Sequence, residues 1–250
     1  MKEIIAIHGW AGDNNQWSNW IDCFQCCDWK WQAAERGYRD IDPYTPRWYN
    51  DSNQEGQKRV AICHSLGTHL IDKKVLLAAT HVVLINSFSR FIPSGKEHRL
   101  VKLALKRMMN AIGTSNESSM LRKFHRKAHQ PQDIDLESCE SHLLHLSDSG
   151  RLRLKQDLKL LINSDSLPTG LNTDAKVLII NSEKDYILAN QTKNRLATDL
   201  IAYLKEQPAR INIQDEGHSI SKIKNITKIK HWLEFDHDKN MVYSSYSKLQ

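Results

Sequence analysis

The sequence predicts an α/β protein: a doubly wound, mostly parallel sheet of about six strands with a helical insertion. Three observations carry that expectation. Five short segments are continuous runs rich in Ile, Val, Leu or Ala rather than two-residue alternations, as expected of parallel strands covered on both faces. Helical patterns lie between such runs, which calls for right-handed crossovers. Between the fourth and fifth runs the strand pattern gives way to helical periodicity alone.

Taken in order, "EIIAIHG" over residues 3–9 and "WQAAERG" over 31–37 come first. "RVAICHS" over 59–65, "HVVLINS" over 81–87 and "KVLIINS" over 176–182 follow. A sixth segment, "ARINIQDEG" over 209–217, alternates apolar and polar residues and reads as an edge strand. Helices are expected over 66–79, 189–206 and 219–234, the last with Ile220, Ile223, Ile226, Ile229 and Leu233 at three- or four-residue steps. The insertion divides into expected helices over 95–112, 118–128, 135–146 and 151–162. The domain organisation that follows is a core from 1–87 and 171–235, a helical insertion over 88–170 and a loose tail over 236–250.

A chain of 250 residues with 40% hydrophobic and 26% charged residues can build one such domain with a real core, which excludes wholesale disorder. Only four apolar residues, Ile4 to Ile7, precede His8-Gly9, so no secretion signal is read there. The longest apolar stretch, 75–85, contains Thr80 and His81 and is far shorter than the roughly 20 residues a bilayer needs. A cytoplasmic protein without a membrane span is expected. The five cysteines, Cys23, Cys26, Cys27, Cys63 and Cys139, form no regular framework and suit reduced thiols. No second Cys/His pair at zinc-like spacing accompanies the first three, so no metal site is expected.

The segment "KRVAICHSLGTHL" turns from strand to helix at Ser65. A serine at such a junction is either a simple turn residue or an exposed nucleophile, because the turn pushes its hydroxyl out at the carboxyl edge of the sheet. The next amide, that of Leu66, points at the same space near the start of a helix dipole. A nucleophilic serine needs a base, and the base needs an acid to hold its tautomer. His218 follows the sixth strand in "DEGHSI" and Asp185 follows the fifth in "SEKDYI", with Glu183 and Asp174 as neighbouring acids on that connection. After the first strand, "IHGWAG" places the Trp10 amide as a second oxyanion donor. Arg36, after the second strand, is expected in a structural ion pair with Glu35 or Asp40.

With these four motifs in this order the sequence resembles the α/β-hydrolases, nearly to residue 235. The resemblance implies a reduced sheet lacking the family's first two strands, a triad of Ser65, Asp185 and His218, backbone oxyanion donors at Trp10 and Leu66, and no cofactor. It also implies that His8 braces the oxyanion loop. One departure stands out: the family's Gly-x-Ser-x-Gly is here Cys63-His64-Ser65-Leu66-Gly67, a larger but still compact first residue. Dehalogenases and epoxide hydrolases of the family are disfavoured, since they use an aspartate where Ser65 stands.

The insertion corresponds to the family's lid, the part that sets substrate class. Over residues 95–127 it carries Lys96, Arg99, Lys102, Lys106, Arg107, Arg122, Lys123, Arg126 and Lys127 against Glu97 and Glu117, a balance of +7 that exceeds the whole protein's +6. Arg99, Lys102 and Lys106 stand at helical steps and share a face, with Leu100, Leu103, Ala104 and Met108 expected to turn inward. A one-signed face suits an acidic partner. With Arg107, Arg122 and Arg126 these residues are candidate contacts for an acyl carrier protein, while Leu105, Met109, Ile112 and Leu121 offer an apolar lining for an acyl chain. Nucleic acid is not expected, because the basic segment lacks interleaved aromatics. Together with the opening "HGWAGDNNQW", this profile is similar to that of the carboxylesterases of biotin synthesis, which cleave the methyl ester of pimeloyl-acyl carrier protein. The same residues also suit a short-chain esterase or a thioesterase. From another class, they suit a non-catalytic member of the fold that binds an acidic partner.

Overall fold

The computed structural model describes residues 1–25, 27–49, 56–132 and 145–235. Six strands, β1 (Lys2–Ile7), β2 (Trp29–Ala34), β3 (Lys58–His64), β4 (His81–Ile85), β5 (Lys176–Ser182) and β6 (Ala209–Ile213), form one sheet in the order β2-β1-β3-β4-β5-β6. Every pairing is parallel. β1, β3, β4 and β5 are almost wholly buried, as their unbroken apolar runs imply. β6 is an edge strand with alternating exposure. β2 is the other edge, so its Lys30 to Ala33 stretch stays partly open rather than covered on both faces.

Successive side chains of each inner strand feed two cores, because strand side chains alternate between faces. Ile5, Ile7, Ala61, Cys63, Val82 and Leu84 pack on one face with Val75 and Leu76 of α3 (Lys73–Leu77) and Leu196 and Leu200 of α7 (Asn190–Tyr203). Ile4, Ala6, Val60, Ile62, Val83 and Ile85 pack on the other with Trp20 and Phe24 of α1 (Ser18–Gln25) and Ile226, Ile229 and Leu233 of α8 (Ile223–Glu234). Each fully buried Ile or Leu contributes about 1.5–3 kcal/mol.

Local chemistry moves several helix ends from their expected places. The helix expected over 66–79 is two pieces, α2 (Gly67–Leu70) and α3, because Ile71 is extended and the Asp72 side chain caps α3 by accepting from the Lys74 amide at 2.7 Å. α8 starts at Ile223 rather than residue 219, since the Glu216 carboxylate takes the amides of Ser221 and Lys222 and holds that segment as a loop. α1, which the periodicity did not announce, follows a 3-10 turn, Asn14–Trp17, capped by Asp13.

The insertion contains α4 (Lys96–Ala111), α5 (Glu117–His129) and α6 (Asp148–Asn163). The helix expected over 135–146 falls largely on residues 133–144, outside the described residues, and 145–147 are not helical. These helices share a third core, in which Leu105, Ile112, Leu121, Leu154 and Leu158 pack with Trp10 and Leu66 of the sheet edge. α4 corrects one expectation. Its inward stripe is Val101, Leu105, Met108 and Ile112, while Leu100 is 69% exposed, Leu103 is 42% exposed and Ala104 is also exposed. Two apolar stripes compete on this helix, and the longer one, at steps of four, three and four, is the one that is buried. Among the described residues no helix is long and apolar enough to cross a membrane.

Candidate active site

The sheet order reverses between β1 and β3: the chain leaves β1 toward β2 on one side and returns to β3 on the other. In open parallel sheets the crevice at the carboxyl end of such a switch point is where ligands bind. Ile7 pairs with Cys63, so the segments leaving β1 and β3 run out side by side, carrying Trp10 and Ser65–Leu66 into that crevice.

Ser65 has a φ of 53°, the left-handed conformation of a strained strand-to-helix turn. Its amide donates to the Ile85 carbonyl at 2.8 Å. The Ser87 hydroxyl, which receives the Thr68 hydroxyl at 2.7 Å, lies 3.2 to 3.3 Å from the carbonyls of Cys63, Ser65 and Ile85 and braces the turn. Gly67 is required: a Cβ there would sit 2.7 Å from the Ile7 carbonyl oxygen and 2.8 Å from that of His8. Cys63, at the departure from the glycine pattern, is accommodated within the core, where burial pushes its thiol up. Among the described residues, no backbone carbonyl takes the Trp10 or Leu66 amide.

His218 and Asp185 meet as the strand order implies. Asp185 Oδ2 accepts from His218 Nδ1 at 2.9 Å, and its Oδ1 accepts the amides of Ile187 and Leu188 at 2.7 and 3.1 Å. Burial alone would raise this carboxyl. His218, the Lys193 ammonium 3.8 Å away and the Ile187 amide outweigh it and hold the group below the ordinary aspartate value. Lys193 is itself buried and donates to the Ser182 carbonyl at 2.7 Å. Glu183 and Asp174 are not part of this arrangement, and Asp174 pairs with Lys205 instead.

Residues beyond the expected set fix His218. Its carbonyl accepts from His64 Nε2 at 2.9 Å and from Asn86 Nδ2 at 2.8 Å, which assigns the His64 proton to Nε2. Asn86, with a φ of 43°, also donates to the Gly217 carbonyl and accepts the Ser182 amide, tying the ends of β4 and β5 to the His218 loop. Burial, with the neighbouring His218 adding to it, pushes His64 down to about 3, so it is neutral at pH 7. The runs "RVAICHS" and "HVVLINS" hint at neither role, because both depend on a loop more than a hundred residues away.

Ser65 and His218 line one cavity of about 440 Å³, together with Trp10, Trp17, Phe124, His125 and His129. Trp10 closes one wall: its indole donates to the Leu154 carbonyl at 3.1 Å and meets Phe124 edge-on at 4.8 Å. His8 lies outside the lining; its Nδ1 donates to the Gly9 carbonyl at 2.8 Å and its Nε2 accepts the Arg36 amide at 3.2 Å, a brace on the loop before Trp10. Arg36 does form an ion pair, but with Asp157 of α6 at 2.7 and 3.0 Å rather than with Glu35 or Asp40. Arg99, Lys106, Arg107 and Arg126 are exposed, Lys102 and Arg122 half-buried, and none of the six lines the cavity.

No family model and no curated protein matches the sequence. Solved structures match its fold. An esterase from Exiguobacterium antarcticum superposes with a TM-score of 0.69 at 14% identity, covering 94% of this chain and 92% of that one. A thermophilic esterase from Thermogutta terrifontis gives 0.64 at 14% identity, covering 95% and 91%. A hydrolase from Oleispira antarctica gives 0.62 at 12% identity, covering 94% and 89%. The architecture is therefore α/β-hydrolase-like, and a shared fold by itself fixes no activity.

Proposed function

We propose that this protein is a serine hydrolase acting on carboxylic esters. The observation that carries the reading is the 2.9 Å contact of His218 with Asp185 at a cavity that His218 shares with Ser65 on its left-handed turn. With Nδ1–H held by Asp185, His218 Nε2 is free to take the Ser65 proton as Oγ attacks the ester carbonyl. The Trp10 and Leu66 amides receive the oxyanion. His218 then protonates the departing alcohol, leaving an acyl-Ser65 ester. Water, deprotonated by His218, attacks that ester and releases a carboxylic acid and free Ser65. No cofactor enters the scheme.

The substrate we favour is an acyl chain presented in the cytoplasm by an acidic carrier, in particular the methyl ester of pimeloyl-acyl carrier protein. The exposed basic side chains of α4 and α5, with few acids among them, support a docked acidic protein. A carrier-independent short-chain esterase is the second reading, favoured by the absence of those basic residues from the cavity lining among the described residues.

Hydrolysis of p-nitrophenyl acyl esters by the wild type and Ser65→Ala tests the first claim, and mass spectrometry with methyl-pimeloyl-acyl carrier protein tests the second. Ser65→Ala should lose at least about 10³-fold in kcat. Methyl ester cleavage with an intact thioester is expected from the wild type. Equal inactivity of both proteins on both substrates would leave a non-catalytic protein binding an acidic partner.

A further inference from the structure

Charge is sorted between the surface and the cavity. The outer faces of α4 and α5 expose Lys96, Arg99, Arg107 and Arg126, yet among the described residues no lysine or arginine lines the cavity beside Ser65. Among the described residues the one formally charged side chain in the lining is Asp13, already held by the Arg39 guanidinium at 2.9 Å. The other polar walls include His64, His125 and His129. Burial depresses all three, the first two to about 3, so they stand as uncharged imidazoles at pH 7. Trp10 and Phe124 supply apolar surface.

A carboxylate carried into this space would lose its water, meet aromatic rings and the neutral imidazoles of His64, His125 and His129, and approach the Asp13 carboxylate with no lysine or arginine among the described lining residues to receive it. Burying an unpaired ion is among the most costly things a protein can do. We infer that the cavity selects esters whose acyl chain is uncharged at its far end, whether alkyl, aryl or itself esterified, and rejects chains ending in a free carboxylate. This rests on the hydrolase reading and names its substrate class. A carrier's negative charge then stays outside against α4 and α5, and only the neutral chain enters.

The test compares p-nitrophenyl hexanoate, mono-p-nitrophenyl adipate and methyl p-nitrophenyl adipate, which share a chain length and differ in the terminal group. The free carboxylate should lower kcat/KM at least about 100-fold against hexanoate, and capping it as the methyl ester should restore the rate to within about tenfold. Gln16→Lys, which puts an ammonium at the cavity wall, should narrow the hexanoate-to-adipate ratio at least about tenfold. Rate constants for the first two substrates within about threefold of each other overturn the inference. A second readout needs no turnover: tryptophan fluorescence of Ser65→Ala titrated with methyl hexanoate and with monomethyl adipate. If the wild type hydrolyses nothing, the hydrolase reading fails and this titration decides. Preference for methyl hexanoate sustains the selectivity, while equal binding, or binding of neither, overturns it.

Discussion

At the scale of single residues, the site is held by groups whose protonation the fold enforces, and their signs differ. Asp185 is depressed in the fold, so its contribution to stability is present above the ordinary aspartate value and is lost as pH falls through the depressed one. His125 is depressed to about 3 by burial, with the Arg39 charge adding to it, so the unfolded chain binds a proton below about pH 6.5 that the folded chain refuses. The buried imidazole therefore costs stability progressively from about pH 6.5 down to about 3. His125→Phe removes that linkage. Urea unfolding of the wild type should steepen below pH 6 by about 1.4 kcal/mol per pH unit relative to the variant, and parallel curves would contradict a neutral buried His125. Ser65, Asp185, His218, Trp10 and Leu66 were legible as candidates from strand endings and residue type. His64 and Asn86 were not, because their partner is a backbone carbonyl on a loop that the sequence cannot bring to them.

At the scale of elements, α4 shows how a periodic pattern underdetermines a helix. Basic residues at steps of three and four were readable, as were apolar ones, but two apolar stripes fit the same helix and only packing against α5, α6 and the Trp10 region chooses between them. The choice is open to mutation. Leu105→Ala removes a buried side chain and should cost about 2–4 kcal/mol, whereas Leu100→Ala, at an exposed position, should stay within about 0.5 kcal/mol. Thermal melts of the two variants check this, and a larger loss at Leu100 would reverse the assigned face. The split between α2 and α3 has the opposite lesson. Its cause, Asp72 capping the Lys74 amide, is local and could have been read from an aspartate ahead of "KKVLL".

At the scale of the whole molecule, charge and shape take separate roles under the proposed function: charge on the basic outer face of the inserted helices, and shape in the cavity whose described lining holds no lysine or arginine. Charge on the rim acts on encounter and is screened by salt. The kcat/KM for a carrier-borne ester should accordingly fall severalfold between about 50 and 500 mM salt, while that for p-nitrophenyl hexanoate holds nearly level. Arg107→Glu should weaken the first several-fold and spare the second. Equal salt dependence for the two substrates would favour the carrier-independent esterase. The sequence by itself determined the six strands, their parallel character and the chain order of serine, acid and histidine, because apolar runs and strand-end residues are local properties of the chain. Tertiary structure alone decided that β2 is an open edge, which stripe of α4 is buried, that Arg36 pairs with Asp157, and that His64 and Asn86 together hold the His218 carbonyl. Each of those depends on which distant segment fills the space beside a residue, and that is set by packing rather than by any pattern along the chain.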